Sequence, residues 1–250
     1  MIAAAVPIVR LSAVTRGAYL LELGAVPYRE AWELQRSLAG AVSQGAIPDT
    51  IVMLEHPPVI TLGRRSEPGE LHVPEGAEVD IVETDRGGKS TYHGPGQLVC
   101  YPILDLRRHG QDVKRYCRDL EEALVKTLAA FSLEGERIEG LTGIWLTPPP
   151  RKIASIGIHI STWVTTHGYA LNVDLDPAPF TDWITACGLE DAAFTTIGSE
   201  LGRSVAVGEV RPHATRALEE VFGLELEELP AEDGHGLWPQ PLHEQLATRS

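Results

Sequence analysis

Two side chains and one loop hold the chemistry that can be read from this sequence. Cys187 stands in Thr185-Ala186-Cys187-Gly188, a segment of turn formers that would expose its thiol, whereas Cys100 falls in an apolar run and Cys117 on a helical face. A free thiol titrates near pH 8.5 and needs a neighbouring cation to be a thiolate at neutral pH. Lys152 is the cation to consider. It begins the apolar and small-residue run Lys152-Ile153-Ala154-Ser155-Ile156-Gly157, an unusual place for a lysine unless it snorkels to solvent or has a partner. Paired, the two would form an activated nucleophile. Position alone leaves both open: Cys187 as nucleophile or idle loop thiol, Lys152 as partner or solvated strand end.

The loop is Asp85-Arg86-Gly87-Gly88-Lys89-Ser90-Thr91-Tyr92-His93-Gly94-Pro95-Gly96-Gln97. Glycines without Cβ atoms, alternating with polar side chains, describe a backbone that a ligand approaches closely. Gly88-Lys89-Ser90 imitates the end of a phosphate-binding P-loop, but the first glycine of that motif would fall on Glu83, and no helical pattern follows. Gly94-Pro95-Gly96 is no dinucleotide fingerprint either, because its third glycine is missing and a strand comes next. The plainer alternative is a hairpin connection that binds nothing. His93 reads equally as a pocket group beside the thiol or as a loop histidine bonded to backbone.

The elements that must position these groups follow from periodicity. Gly17 to Leu23 is a strand, and Ala31, Leu34, Leu38 and Val42 recur at helical spacing up to Gly45. Thr50 to His56 is a strand cut by Pro57-Pro58, and an extended pattern resumes from Val59 to Arg64. Strands before Glu83 and after Gln97 flank the glycine loop. Asp112 caps a helix bearing Tyr116, Leu120, Leu124, Leu128 and Phe131, closed by Gly135. Ile144-Trp145-Leu146 is a short strand. The strands Lys152 to Ile160 and Gly168 to Val173 pair antiparallel about a loop at Thr165-Thr166-His167, and a last helix carries Val210, Ala214, Leu218 and Val221 to Gly223. This is a single α+β domain over residues 1–223, mainly antiparallel or mixed, with an acidic, poorly ordered tail at 224–250.

Composition narrows the function. The chain has 250 residues, a formal charge of −14 and three widely spaced cysteines, which suit neither a disulfide framework nor a paired-thiol zinc site. The charge argues against nucleic acid as a principal partner. No apolar run approaches a membrane span and the N-terminus lacks a secretory pattern, so the expected location is cytoplasmic. Against the acidic background, Arg107, Arg108, Lys114, Arg115 and Arg118 form the densest basic cluster, readable as a solvated helix start or as a docking patch for an acidic carrier protein.

Arg86-Gly87-Gly88, Thr91-Tyr92-His93-Gly94-Pro95-Gly96-Gln97 and Tyr101-Pro102 resemble the signature of the lipoyl(octanoyl) transferase family, the octanoyltransferases of lipoate biosynthesis. Lys152-Ile153-Ala154-Ser155-Ile156-Gly157, His167-Gly168-Tyr169-Ala170-Leu171-Asn172 and Ala186-Cys187-Gly188 match that family's later motifs in order and spacing, and Glu55-His56-Pro57-Pro58 does so more weakly. The resemblance spans roughly Leu54 to Thr196. It implies the fold of the biotin and lipoate protein ligase catalytic domain, a large mixed sheet with a smaller one and flanking helices.

It further implies that Cys187 and Lys152 are a catalytic pair. Cys187 would take an octanoyl group from octanoyl-acyl carrier protein as a thioester. Lys152 would act as base when a lysine of a lipoyl domain attacks, the acceptors being those of 2-oxoacid dehydrogenase complexes and the glycine cleavage H protein. Arg86, Gly87, Gly88, Lys89, Ser90, Thr91, Tyr92 and His93, with Ser155, Ile156, Gly157, Gly168, Tyr169 and Ala170, would line the acyl pocket. No cofactor and no metal are called for. Ala186 departs from the family pattern, where proline often precedes the cysteine. Three competing readings remain: an ATP-dependent lipoate or biotin ligase on the same fold, a non-catalytic acyl or carrier-binding protein, and a zinc protein. The last is prompted by nine histidines that show no short ligand spacing.

Overall fold

A computed structural model describes residues 15–67, 69–185 and 193–229. The sequence periodicity becomes twelve strands and five α-helices among these residues. In chain order they are β1 (Arg16–Ala25), α1 (Tyr28–Gln44), β2 (Thr50–Glu55), β3 (Val59–Leu62), β4 (Asp80–Glu83), β5 (Thr91–His93), β6 (Gln97–Ile103), α2 (Val113–Ala129), β7 (Glu136–Ile138), β8 (Leu141–Leu146), β9 (Arg151–Ser161), β10 (Val164–Asn172), α3 (Ala178–Asp182), β11 (Ala193–Phe194), α4 (Ile197–Leu201), α5 (Val207–Phe222) and β12 (Leu224–Glu228). The large sheet runs β12-β1-β2-β6-β10-β9-β8-β7, with β11 pairing β9, and the small sheet runs β4-β3-β5. The pairs β12–β1, β1–β2, β11–β9 and β3–β4 are parallel; the rest are antiparallel. The expected α+β architecture of two mixed sheets with flanking helices is what folds.

Helices cover both faces of the large sheet. Leu34, Leu38 and Val42 of α1 are fully buried and pack on Val52, Leu54, Val99 and Tyr101. Each such side chain contributes about 1.5–3 kcal/mol of burial. On the opposite face Leu120, Leu124 and Leu128 of α2 meet Val210, Ala214 and Leu218 of α5 over Met53, Cys100, Ile144 and Leu171. Helix ends follow the local chemistry: the Asp112 carboxylate accepts the Arg115 N–H at 3.0 Å, and Gly45 and Gly223 stop their helices at φ 71° and 65°.

Four boundaries differ from expectation. The α2 helix ends at Ala129 rather than Gly135, which instead lets the chain pass closely between Leu128 and Ile144. The β9–β10 turn lies at Thr162-Trp163, both at positive φ, the type I′ pattern that favours glycine or asparagine but here carries neither. Thr165, Thr166 and His167 are therefore inside β10. The glycine loop is interrupted by β5, which returns it to the small sheet. The tail boundary at 223 falls too early, because Leu224–Glu228 pairs parallel with β1 and Leu224 is buried. A hydrophobic residue at alternate positions outweighs the acidic composition there.

Candidate active site

The β9–β10 register sets Gly168 beside Gly157 and Ala170 beside Ser155, so four small residues floor a cavity of about 320 Å³. That is at the lower end of roughly 300–1,000 Å³ for ligand sites. The glycine loop forms its roof. Gly87 N–H donates to the Ile158 carbonyl at 2.8 Å, and a Cβ at Gly157 would lie 3.1 Å from the Gly87 oxygen, so the loop backbone rests directly on β9. Gly88 holds φ 92°, which only glycine adopts without strain.

Arg86 fastens this roof to the small sheet. It is buried, and its guanidinium donates to the Thr61 carbonyl at 2.6 Å, the Thr61 hydroxyl at 2.7 Å and the Lys89 carbonyl at 2.8 Å. Lys89 and Ser90 are held by one buried carboxylate, Glu70, at 2.5 and 3.4 Å. Lys89 draws the Glu70 carboxyl below its ordinary range, overcoming the desolvation that opposes ionisation. The segment after Glu70 continues the tether: Leu71 bridges Ile184, and His72 N–H donates to the Trp183 carbonyl at 2.8 Å.

Lys152 is buried in β9 at the other end of the cavity, and its Nζ lies 5.4 Å from the Trp145 ring centroid across β8. Gly143 makes room for it, since a Cβ there would sit 2.8 Å from Lys152 Cε. Its backbone is clamped by β11, with Phe194 opposite Lys152 and Thr195 N–H donating to the Lys152 carbonyl at 3.0 Å.

Beside the glycine loop stands a cluster of rings. Tyr101 O–H donates to His56 Nε2 at 2.7 Å, and His56 Nδ1–H donates to the Val26 carbonyl at 2.6 Å. His93 Nδ1–H donates to Gln97 Oε1 at 2.7 Å, and Gln97 passes the chain to Asn172 Oδ1 at 3.0 Å and thence to the Thr195 carbonyl. His167 Nε2–H donates to Asp85 at 2.7 Å, and its Nδ1 accepts the Tyr28 hydroxyl at 3.3 Å. Each tautomer is assigned by its partners. Burial depresses all three imidazoles: His56 falls to about 4, His93 lies well below its ordinary value, and His167 is lowered despite Asp85. They are neutral at pH 7, with their polar atoms used inside the protein and their rings packed among aromatic neighbours: Tyr28 lies 5.1 Å from His56 and stacks on His93 at 6.0 Å, and Trp32 lies 6.1 Å from His167. His167 sits at φ 57° within β10, held there by its N–H bond to Gln35 of α1 at 2.6 Å. Such a backbone costs about 1–3 kcal/mol.

The profile of the lipoyl protein ligase A/B catalytic domain matches residues 27–219. The chain belongs to the lipoyl protein ligase A/B catalytic-domain family. Among the curated members of that family similar to it are an octanoyltransferase of Chloroflexus aurantiacus, 47% identical over 209 residues (81% of this chain, 93% of the relative), and one of Mycobacterium marinum, 49% identical over 207 residues (79% and 85%). Solved structures share the family fold at low identity. A bipartite lipoate protein ligase of Thermoplasma acidophilum superposes with a TM-score of 0.71 at 16% identity over 89% of this chain and 90% of the other. A lipoate-protein ligase A bound with ATP gives 0.71 at 16% identity over 89% and 92%.

Of the residues expected at the site, Lys152, Arg86, Gly87, Gly88, Lys89, Ser90, Thr91, His93, Ser155, Ile156, Gly157, Gly168, Tyr169 and Ala170 all line the one cavity. Cys187 and Ala186 lie outside the described residues. Tyr92 does not line it. Strand alternation turns Thr91 and His93 inward and Tyr92 outward, where its ring meets Phe180 at 5.7 Å and Trp183 at 5.9 Å. His93 bonds a side chain rather than backbone. The basic cluster lies apart from the cavity lining: Arg107 is 2.8 Å from Asp105, Arg108 is 3.6 Å from Asp49, Arg115 is 3.6 Å from Asp119, and Lys114 and Arg118 are exposed.

Sequence reasoning passed over Tyr28, Arg65, Tyr101, Cys117, Trp145 and His167 as lining residues. Tyr101 and His167 stood within recognised motifs, so a signal existed. Tyr28 and Cys117 come from helices whose periodicity marks them only as faces.

Among the described residues no group of three or more His, Cys, Asp or Glu side chains could hold a metal ion, and no helix is long and apolar enough to cross a membrane.

Proposed function

We propose that this protein transfers an octanoyl group from octanoyl-acyl carrier protein to the acceptor lysine of lipoyl domains, with Cys187 as nucleophile and Lys152 as its acid and base. The observation that carries this reading is the convergence on one cavity of the glycine loop, the small-residue floor and buried Lys152. Both flanks of the segment containing Cys187 are tied to the same structure: Ile184 is bridged to Leu71, and Phe194 pairs with Lys152. The curated relatives are named octanoyltransferases, which supplies the acyl group.

The Cys187 thiolate attacks the thioester carbon, a new C–S bond forms, and the carrier's sulfur leaves with its bonding pair and takes a proton from the Lys152 ammonium. The lipoyl-domain amine, uncharged, then attacks the acyl carbon. Its proton passes to the Lys152 amine, the bond to Cys187 breaks, and thiolate and ammonium are restored. Two macromolecular substrates thus use one site in turn.

The discriminating experiment supplies a lipoyl domain with either octanoyl-acyl carrier protein or free octanoate and ATP. Transfer from the thioester alone, with parallel lines in double-reciprocal plots, supports the reading. Transfer that requires ATP and the free acid overturns it in favour of a ligase.

A further inference from the structure

Lys152 sits where β9 changes partners. The ladder between β9 and β10 ends at Ala154 and Leu171, and at Lys152 the strand β11 takes the place of β10, with Phe194 opposite Lys152. A strand of two residues cannot hold itself there. Phe194 stacks on Phe180 at 4.4 Å, and Arg151 pairs at 2.9 Å with Glu200, which accepts the Thr195 hydroxyl at 2.6 Å. The remaining anchor is Asn172, which stands at the fork and pairs with Gln97 of β6. It is 3% exposed. Its Nδ2–H donates to the Thr195 carbonyl at 3.1 Å, and the Thr195 N–H donates to the Lys152 carbonyl at 3.0 Å.

The orientation of this amide is forced. A carbonyl oxygen only accepts, so Asn172 turns Nδ2 toward Thr195 and Oδ1 toward Gln97. Gln97 then donates from Nε2 to Asn172 Oδ1 at 3.0 Å and to the Tyr92 carbonyl at 3.4 Å, which turns its own Oε1 toward His93. Burial keeps His93 neutral, so its single ring proton lies on Nδ1, 2.7 Å from that oxygen. Every donor in the chain points from His93 toward Lys152, an arrangement in which each bond polarises the next.

Resting on the acyl-transfer reading above, we propose that Asn172 is a positioning residue for Lys152. It seats β11 at the fork and so fixes the backbone from which Lys152 reaches the cavity. Through Gln97 the same amide joins that backbone to His93, which lines the cavity from β5. Leucine matches asparagine in size and offers neither donor nor acceptor, so Asn172→Leu breaks both links. Asn172→Ser is too short to span both partners.

The test combines 15N NMR of the histidine rings with transfer kinetics, in wild type and in both variants. Wild-type His93 is expected as the Nδ1–H tautomer alone; in the variants Gln97 is free to turn over, and the ring becomes a mixture of both tautomers. Transfer from octanoyl-acyl carrier protein, measured well below the unfolding midpoint of each protein, should lose about 10- to 100-fold in kcat, with KM for the donor within about twofold. A residue that only stabilised the fold would lower the midpoint and leave kcat of the folded enzyme unchanged. An Nε2–H tautomer in wild type, or a wild-type kcat in whichever variant folds, would overturn the assignment while leaving the acyl transfer intact. Failure of wild type itself to transfer octanoyl would instead remove the acyl-transfer reading, and the role of Asn172 with it.

Discussion

His56 makes the ring cluster pH-sensitive in a way that can be worked out from its environment. Fully buried between Val26 and Tyr101, it titrates at about 4 in the folded protein against an ordinary value of 6.5, because burial disfavours the imidazolium more than the Val26 carbonyl favours it. Between those values the unfolded chain binds the extra proton, so stability is complete above pH 6.5 and falls as pH drops toward 4. The full shift of 2.5 units corresponds to roughly 3 kcal/mol, and the part lost between about pH 7.5 and pH 5 is about 2 kcal/mol. His93 and His167 act in the same direction. Urea unfolding at both pH values, in wild type and His56→Gln, isolates the effect, since an amide reproduces the donor to Val26 and the acceptor for Tyr101 without titrating. The variant should lose about 2 kcal/mol less than wild type over that interval. An identical pH dependence in both proteins would refute the neutral buried imidazole.

Three further outcomes follow from the same contacts. Gly168→Ala, whose Cβ would lie 2.6 Å from Pro102 Cδ and closer still to the Cys100 carbonyl, should cost about 1–3 kcal/mol in denaturant unfolding; an unchanged midpoint would show that β6 and β10 can separate there. Glu70→Gln should release Lys89 and Ser90 and raise KM for the acyl donor several-fold while kcat stays within about twofold, and an unaltered KM would deny the tether a role in the pocket roof. Reversing exposed Arg115 and Arg118 to glutamate should slow transfer from octanoyl-acyl carrier protein and spare a small octanoyl thioester. Equal loss on both donors would remove the docking role of the basic cluster.

The site was legible in the sequence where glycine and small residues spelled a backbone that must be approached. Gly87, Gly88, Gly157 and Gly168 fell where a loop crosses two strands, and Lys152 was anomalous in an apolar run. Helices α1, α2 and α5 were legible because each buries one stripe. The Thr162-Trp163 turn was not, since neither residue belongs to the types that favour positive φ and pairing across eight residue pairs imposes it instead. His167 was taken for a loop residue for the converse reason. Its positive φ is a strain sustained inside a strand by Gln35, Asp85 and Tyr28, partners 132, 82 and 139 positions away.

The most direct test of the account is intact-protein mass spectrometry after mixing the protein with octanoyl-acyl carrier protein and no acceptor, alongside Cys187→Ser and Lys152→Ala. The account predicts one hydroxylamine-labile octanoyl adduct that maps to Cys187, is absent from Cys187→Ser, forms at least about 100-fold more slowly in Lys152→Ala, and discharges when a lipoyl domain is added. An octanoylated lipoyl domain produced by Cys187→Ser at the wild-type rate, with no adduct on any variant, would contradict it.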